Sequence, residues 1–128
     1  MSLINKISLT AGLLTAILFS PATIFAAVPD YSPNIDLVVN YLKVNQATDG
    51  SISGYGGETA WAVMGLVSVG IDPNTIENSG NSLMEFLASN PPSSVSGWER
   101  DLLALTAAGE NPFIFGGRNY VAQIQNSA

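Results

Sequence analysis

Residues 59–73 and 98–112 carry one pattern written twice. The first copy reads Thr59, Trp61, Val63-Met64-Gly65-Leu66, then Gly70, Asp72 and Pro73. The second reads Trp98, Arg100, Leu102-Leu103-Ala104-Leu105, then Gly109, Asn111 and Pro112, at the same spacing. Both describe an apolar helix with a small residue inside it, closed by a glycine and a following proline. Glycine supplies the left-handed conformation that ends helices, and proline cannot continue one. A helical period of this length points to stacked helix pairs, because one unit cannot bury its apolar face without neighbours. The small residues Gly65 and Ala104 are expected to let the two repeated helices pack closely in parallel.

Residues 1–26 read as a secretory leader. Lys6 gives a short basic start, residues 7–19 form an apolar run, and Ser20-Pro21 breaks it. Ala26 and Ala27 offer small residues for cleavage, with the cut expected after Ala26. An uncleaved N-terminal anchor is the alternative, although the run over 7–19 is short for a bilayer span. Glycine and proline interrupt every later apolar stretch, so no stable membrane span is expected after cleavage. The expected product is secreted or held at the cell surface. Residues 27–34 read as a linker, and residues 35–128 as the repeat domain.

Composition narrows the chemistry. The formal charge is −6, and it becomes −7 once Lys6 leaves with the leader. Nucleic acid is not an expected partner, since phosphate backbones call for basic patches. The chain contains neither cysteine nor histidine. Disulfides and thiolate metal sites are therefore excluded, as is the side chain best suited to proton transfer near neutral pH. No metal site is expected, and the sequence leaves the question of a cofactor open.

The chain after the leader reads as all-α, with five helical segments. Ser32-Pro33 looks like an N-cap followed by proline at the first helical position, opening a helix to about Asn45. Its apolar stripe is Ile35, Val38, Val39 and Leu42. A second helix, from about Glu58 to Val69, is apolar on nearly every side and is expected to be buried all round. Ser82 and Glu85 match a capping box at the start of a third, with Leu83, Phe86 and Leu87 as its stripe. A fourth covers about Trp98 to Ala108. A fifth begins near Arg118, with Tyr120, Val121 and Ile124 expected on a thin layer or facing water. Outer, amphipathic helices thus alternate with inner, apolar ones.

From about Ile35 onward the chain resembles the prenyltransferase/squalene-cyclase repeat proteins. The resemblance rests on Leu42, Gln46 and Asp49-Gly50, then the loop Ser53-Gly54-Tyr55-Gly56-Gly57, then Trp61 and Gly65-Leu66. It departs from that pattern at Ser51-Ile52, where the cyclase repeat has tryptophan after the glycine, and at Pro91, where the second unit lacks Gln46's counterpart. The resemblance implies an α/α toroid, here a fragment of about two and a half helical hairpins. The fifth helix would lack its inner partner, and self-association through unpaired repeat faces is expected. The relatives' functional residues do not carry over. Asp101 beside Arg100 is not the cyclases' Asp-rich acid motif. The zinc ligands of the protein prenyltransferases require residue types missing here, and the thioester stretch of complement-like domains is absent.

The candidate ligand-binding residues are Tyr55, Glu58, Trp61, Trp98 and Arg100. Tyr55 and the two tryptophans could line a pocket for an apolar or sugar-like ligand; packing between helices is the simpler role for the tryptophans. Glu58 sits at a helix start, where a carboxylate gains about 0.3–1 kcal/mol from the helix dipole. Arg100 is expected to pair with Asp101, Glu99 or a neighbouring repeat. Asp49-Gly50 reads as a tight turn, and Gln46 as a helix-end amide bonded to loop backbone. No catalytic residue emerges. The function expected is an exported, non-catalytic repeat module that binds a ligand or protein at the cell surface. The alternative is a truncated piece of a terpenoid-cyclase/prenyltransferase-like enzyme.

Overall fold

The computed structural model describes residues 31–127. The expected leader and residues 27–30 of the expected linker lie outside the described residues. Five helices occupy the remainder: α1 Ser32–Asn45, α2 Gly56–Ser68, α3 Leu83–Ser89, α4 Val95–Ala107 and α5 Tyr120–Ser127. Two single-turn 3₁₀ segments, Pro73–Thr75 and Phe115–Gly117, precede α3 and α5. The described residues are thus all-helical, and none of their helices is long and apolar enough to cross a membrane.

Local chemistry accounts for most of the boundaries. Tyr31 takes the capping position of α1, one position earlier than expected, and proline occupies the first turn. The Asn45 amide donates to the Tyr41 carbonyl at 2.8 Å and closes that helix. At the start of α3 the capping box is complete: Ser82 Oγ accepts from Glu85 N, and Glu85 Oε2 accepts from Ser82 N. Ser94 caps α4 by accepting from Gly97 N. At α5, Asn119 Oδ1 accepts from Ala122 N at 2.9 Å.

The repeat written in the sequence returns as repeated geometry. At the end of α2, Gly70 N donates to Val67 O and Ile71 N to Leu66 O; at the end of α4, Gly109 N donates to Thr106 O and Glu110 N to Leu105 O. Both are Schellman caps, with the glycines at φ +78° and +77°. The next turn is duplicated as well. Asp72 Oδ1 accepts from Asn74 N at 2.9 Å, and Asn111 Oδ1 accepts from Phe113 N at 3.0 Å.

The core lies where α2 packs on α4, with α3 against α2 and α5 against α4. Val63, Leu66, Ile76, Leu83, Leu87, Ala104 and Leu105 are all buried there. Each large aliphatic among them stabilises the fold by roughly 1.5–3 kcal/mol. Tyr120 corrects an expectation, because it is fully buried. Its ring meets Trp98 edge-on at 4.9 Å and Phe115 at 6.1 Å, while Val121 and Ile124 are half-buried. The packing of α5 on α4 supplies the cover that the sequence pattern did not reveal.

Two further expectations fail. Ala104 is fully buried, but a Cβ added at Gly65 would meet no atom within 4 Å, so no close helix approach occurs there. Nor is α2 buried all round, since Trp61 is 63% and Val69 46% exposed. The reason is α1. It contributes no buried residue to the core, and its inward stripe of Ile35, Val39 and Leu42 is only half-buried, leaving a trough between the helices.

Gln46 joins the α1–α2 connection to the segment before α3. Its buried Nε2 donates to the carbonyls of Gly50, Ile76 and Asn81 at 3.0, 3.1 and 3.2 Å. Asn81 N donates to Thr48 O alongside. The two loop segments lie so close that a Cβ at Gly80 would collide with the Thr48 carbonyl, and one at Gly50 with that of Ser82. We expect Gln46→Leu to strand these carbonyls and lower stability by about 2–3 kcal/mol, read from urea denaturation midpoints. Gly80→Ala should be destabilised for a different reason, backbone collision, and Gly65→Leu should unfold at the wild-type midpoint or above it.

Candidate functional site

Two cavities on this fold receive the residues singled out from the sequence, and they have opposite chemistry. The first is the trough between α1 and α2, with a volume of about 600 Å³. Ile35, Val38, Val39 and Leu42 form its α1 wall; Trp61, Ala62, Gly65, Leu66 and Val69 form its α2 wall, and Ile52 joins them from the connecting loop. Among the described residues, Asn34 and Glu58 are its only polar lining residues, and Glu58 its only ionisable one. The helical spacing explains the arrangement. Residues 58, 61, 62, 65 and 69 recur at three- and four-residue intervals and so share one face of α2. Gly65 lacks a side chain at the centre of that face, and this deepens the trough.

The second cavity, of about 350 Å³, opens between the starts of α2 and α4. Gly54, Gly56 and Gly57 bound it on the α2 side; Ser93, Ser94 and Gly97 bound it on the α4 side. Phe86, Asn90, Pro91 and Pro92 line it from α3 and the loop after it, and Arg100 and Asp101 from α4. The Arg100 guanidinium lies over Gly57: a Cβ built there would stand 3.2 Å from its central carbon. Arg100 Nε is buried without a hydrogen-bond partner, and so is Asp101 Oδ1. The pairing expected for Arg100 is thus not a hydrogen bond at Nε. Its charge still acts on Asp101 through space.

Asp101 is 1% exposed. Burial pushes its carboxyl up to about 6, while the neighbouring Arg100 charge pulls it back. The same buried region raises Tyr120 to about 12, mainly by desolvation, with the Asp101 charge adding and Arg118 opposing. Arg118 itself is anchored, its Nη1 donating to Ala88 O at 2.7 Å and Gly116 O at 3.0 Å.

The five candidates therefore separate. Glu58 and Trp61 share the apolar trough, and Arg100 belongs to the polar cavity. Trp98 is buried against Tyr120 in the core. Tyr55 is 66% exposed and lines neither cavity. Asp49 makes the tight turn expected of it. Its Oδ1 accepts from Ser51 Oγ at 2.6 Å and Ser51 N at 2.9 Å, and these bonds hold its carboxyl below the usual carboxylate range.

Sequence reasoning passed over two contributions. The α1 stripe reads as ordinary core packing, yet it forms half of the trough. The signal was a second stripe on the opposite face, Leu37, Tyr41 and Val44, all exposed: a helix apolar on two sides does not bury both in one core. Asp101 was the other, taking the place that Ala62 holds in the first copy, in an otherwise apolar register. Compared with protein-family models, curated proteins and solved structures, the chain matches none of them.

Burial of Asp101 has a measurable consequence for stability. An unfolded chain releases this proton near 3.8 and the folded chain near 6. Between those values the folded state holds the extra proton, so the stability it confers is fully present below about pH 4. It is lost as pH rises through about 6, a swing of roughly 2–3 kcal/mol. Asp101→Asn removes the ionisation. We expect it to raise the denaturation midpoint above wild type at pH 7.5, with the difference shrinking toward pH 4.

Proposed function

We propose that this chain is an exported, non-catalytic helical-repeat module whose α1–α2 trough binds an elongated apolar ligand. The observation that carries the reading is the lining of that trough: aliphatic side chains and one indole along its length, with polar groups confined to Asn34 and Glu58. A cavity of about 600 Å³ lies within the range of small-molecule sites, which are mostly apolar with a few polar groups fixing orientation. A sugar would find too few hydrogen-bonding partners there. Proton-transfer chemistry would have Glu58 alone to draw on.

The repeat reading supports the module. Both α2 and α4 end in the same cap and the same Asx turn, and each carries a flanking helix, α3 or α5. Such alternation is what the toroid resemblance implies for inner and outer helices. Trp61, exposed on the trough wall, takes the ligand-facing role, and Gly65 sets the depth. Export rests on the basic start, apolar run and small residues within positions 1–26.

Two measurements test the reading. In Trp98→Phe the sole remaining indole is Trp61, so its fluorescence reports the trough. Titration with a long-chain alcohol such as dodecanol should shift that emission to the blue and saturate. Gly65→Leu should fill the trough and weaken binding by a factor of ten or more, ~1.4 kcal/mol, without loss of stability. Unchanged emission, or unchanged binding by Gly65→Leu, would remove the trough from the function. Separately, Edman sequencing of the protein from its native host should begin at Ala27, and a chain starting at Met1 would remove export.

A further inference from the structure

The polar cavity between the starts of α2 and α4 plays no part in that reading. Its electrostatics are unusual, because two consecutive residues of opposite charge line it and each keeps one buried polar atom without a partner. Asp101 Oδ1, in a residue only 1% exposed, has no hydrogen-bond partner although the residue lines the cavity. Buried carboxylate oxygens are ordinarily satisfied, and one left open costs free energy. Arg100 Nε is similarly unpartnered. The guanidinium lies above Gly57 at the start of α2, a helix end that no side chain caps. Uncapped amides and the positive end of a helix dipole favour an anion, and a guanidinium beside them favours it further.

A simple anion does not fit this arrangement, because phosphate or sulfate would meet the Asp101 carboxylate. A simple cation does not fit either, since Arg100 and the α2 terminus oppose it. The two requirements are met together by a ligand carrying both charges a bond or two apart. We propose that this cavity binds a free α-amino acid, with its carboxylate on Arg100 and the α2 amides and its ammonium on Asp101. Phe86, Pro91 and Pro92 provide an apolar wall for the ligand's side chain. Gly56 and Gly57 line the cavity at the start of α2, where no side chain caps the first helical N–H groups. Such a ligand satisfies the orphaned polar atoms without importing net charge.

Titration of the whole chain with leucine, followed by amide NMR at pH 7.5, tests this directly. Leucine should move the Gly56, Gly57 and Gly97 amides and saturate in the millimolar range. Leucinamide lacks the carboxylate and 4-methylpentanoate lacks the ammonium; each should bind at least tenfold more weakly. Arg100→Gln and Asp101→Asn should each weaken leucine at least tenfold while preserving the dispersed spectrum of the fold. Leucine affinity should also fall as pH drops below about 6, where Asp101 takes up a proton. The other charged or titratable groups near Asp101 are Arg100, Tyr120 and, beyond it, Arg118. Tyr120 ionises far above that range, and guanidinium groups stay charged throughout it. No movement of these amides with leucine would overturn the proposal. So would equal binding of either half-ligand, or full affinity in Arg100→Gln. Trp61 does not line this cavity, so failure here leaves the apolar trough untouched.

Discussion

One side-chain amide holds the two halves of the α1–α2–α3 region in register. Gln46 Nε2 reaches three carbonyls drawn from two loops, those of Ile76 and Asn81 lying far from it in sequence. An amide has two N–H bonds, so the third contact is shared, and the group works as a clamp on a cluster of carbonyl dipoles. Without it those carbonyls would face one another in a buried space. Gly50 and Gly80 make the clamp possible, because the loops meet backbone to backbone and leave no room for a Cβ. That junction ties the loop before α2 to the loop before α3.

Symmetry in the chain becomes asymmetry in burial. The two repeat copies end identically, yet Gly65 is open while its counterpart Ala104 is fully buried. The difference lies in the neighbours. α4 sits against both α2 and α5, and the Trp98–Tyr120–Phe115 cluster fills the space beside it. α2 sits against α4 and α3, but its remaining face meets α1 only loosely. The same repeat thereby supplies a core element in one copy and a cavity wall in the other.

The two cavities divide the chemistry of a lightly charged chain. Hydrophobic lining concentrates in the α1–α2 trough, where Glu58 is the one ionisable group among the described residues. The polar cavity gathers Arg100 and Asp101 beside the helix starts, and the fold gives up some stability at neutral pH to keep Asp101 there.

Elements with local causes were legible from the sequence. Helix boundaries followed from Ser82 with Glu85, from Gly70 and Gly109, and from the prolines after them, because capping depends on residues a few positions apart. The turn at Asp49 and the bond from Gln46 to Gly50 were readable for the same reason, whereas the reach of Gln46 to Ile76 and Asn81 was not. Tertiary structure alone decided which faces of those helices were covered. Tyr120 became buried because α5 folds back onto α4, and Trp61 stayed open because α1 stands off from α2. It also decided that Arg100 and Asp101 would share a cavity with Gly56 and Gly57, which lie just before the first repeat copy. Periodicity identifies an apolar face but is silent about what it meets: burial is set by long-range packing, whereas caps and turns are set by the bonds of their own few residues.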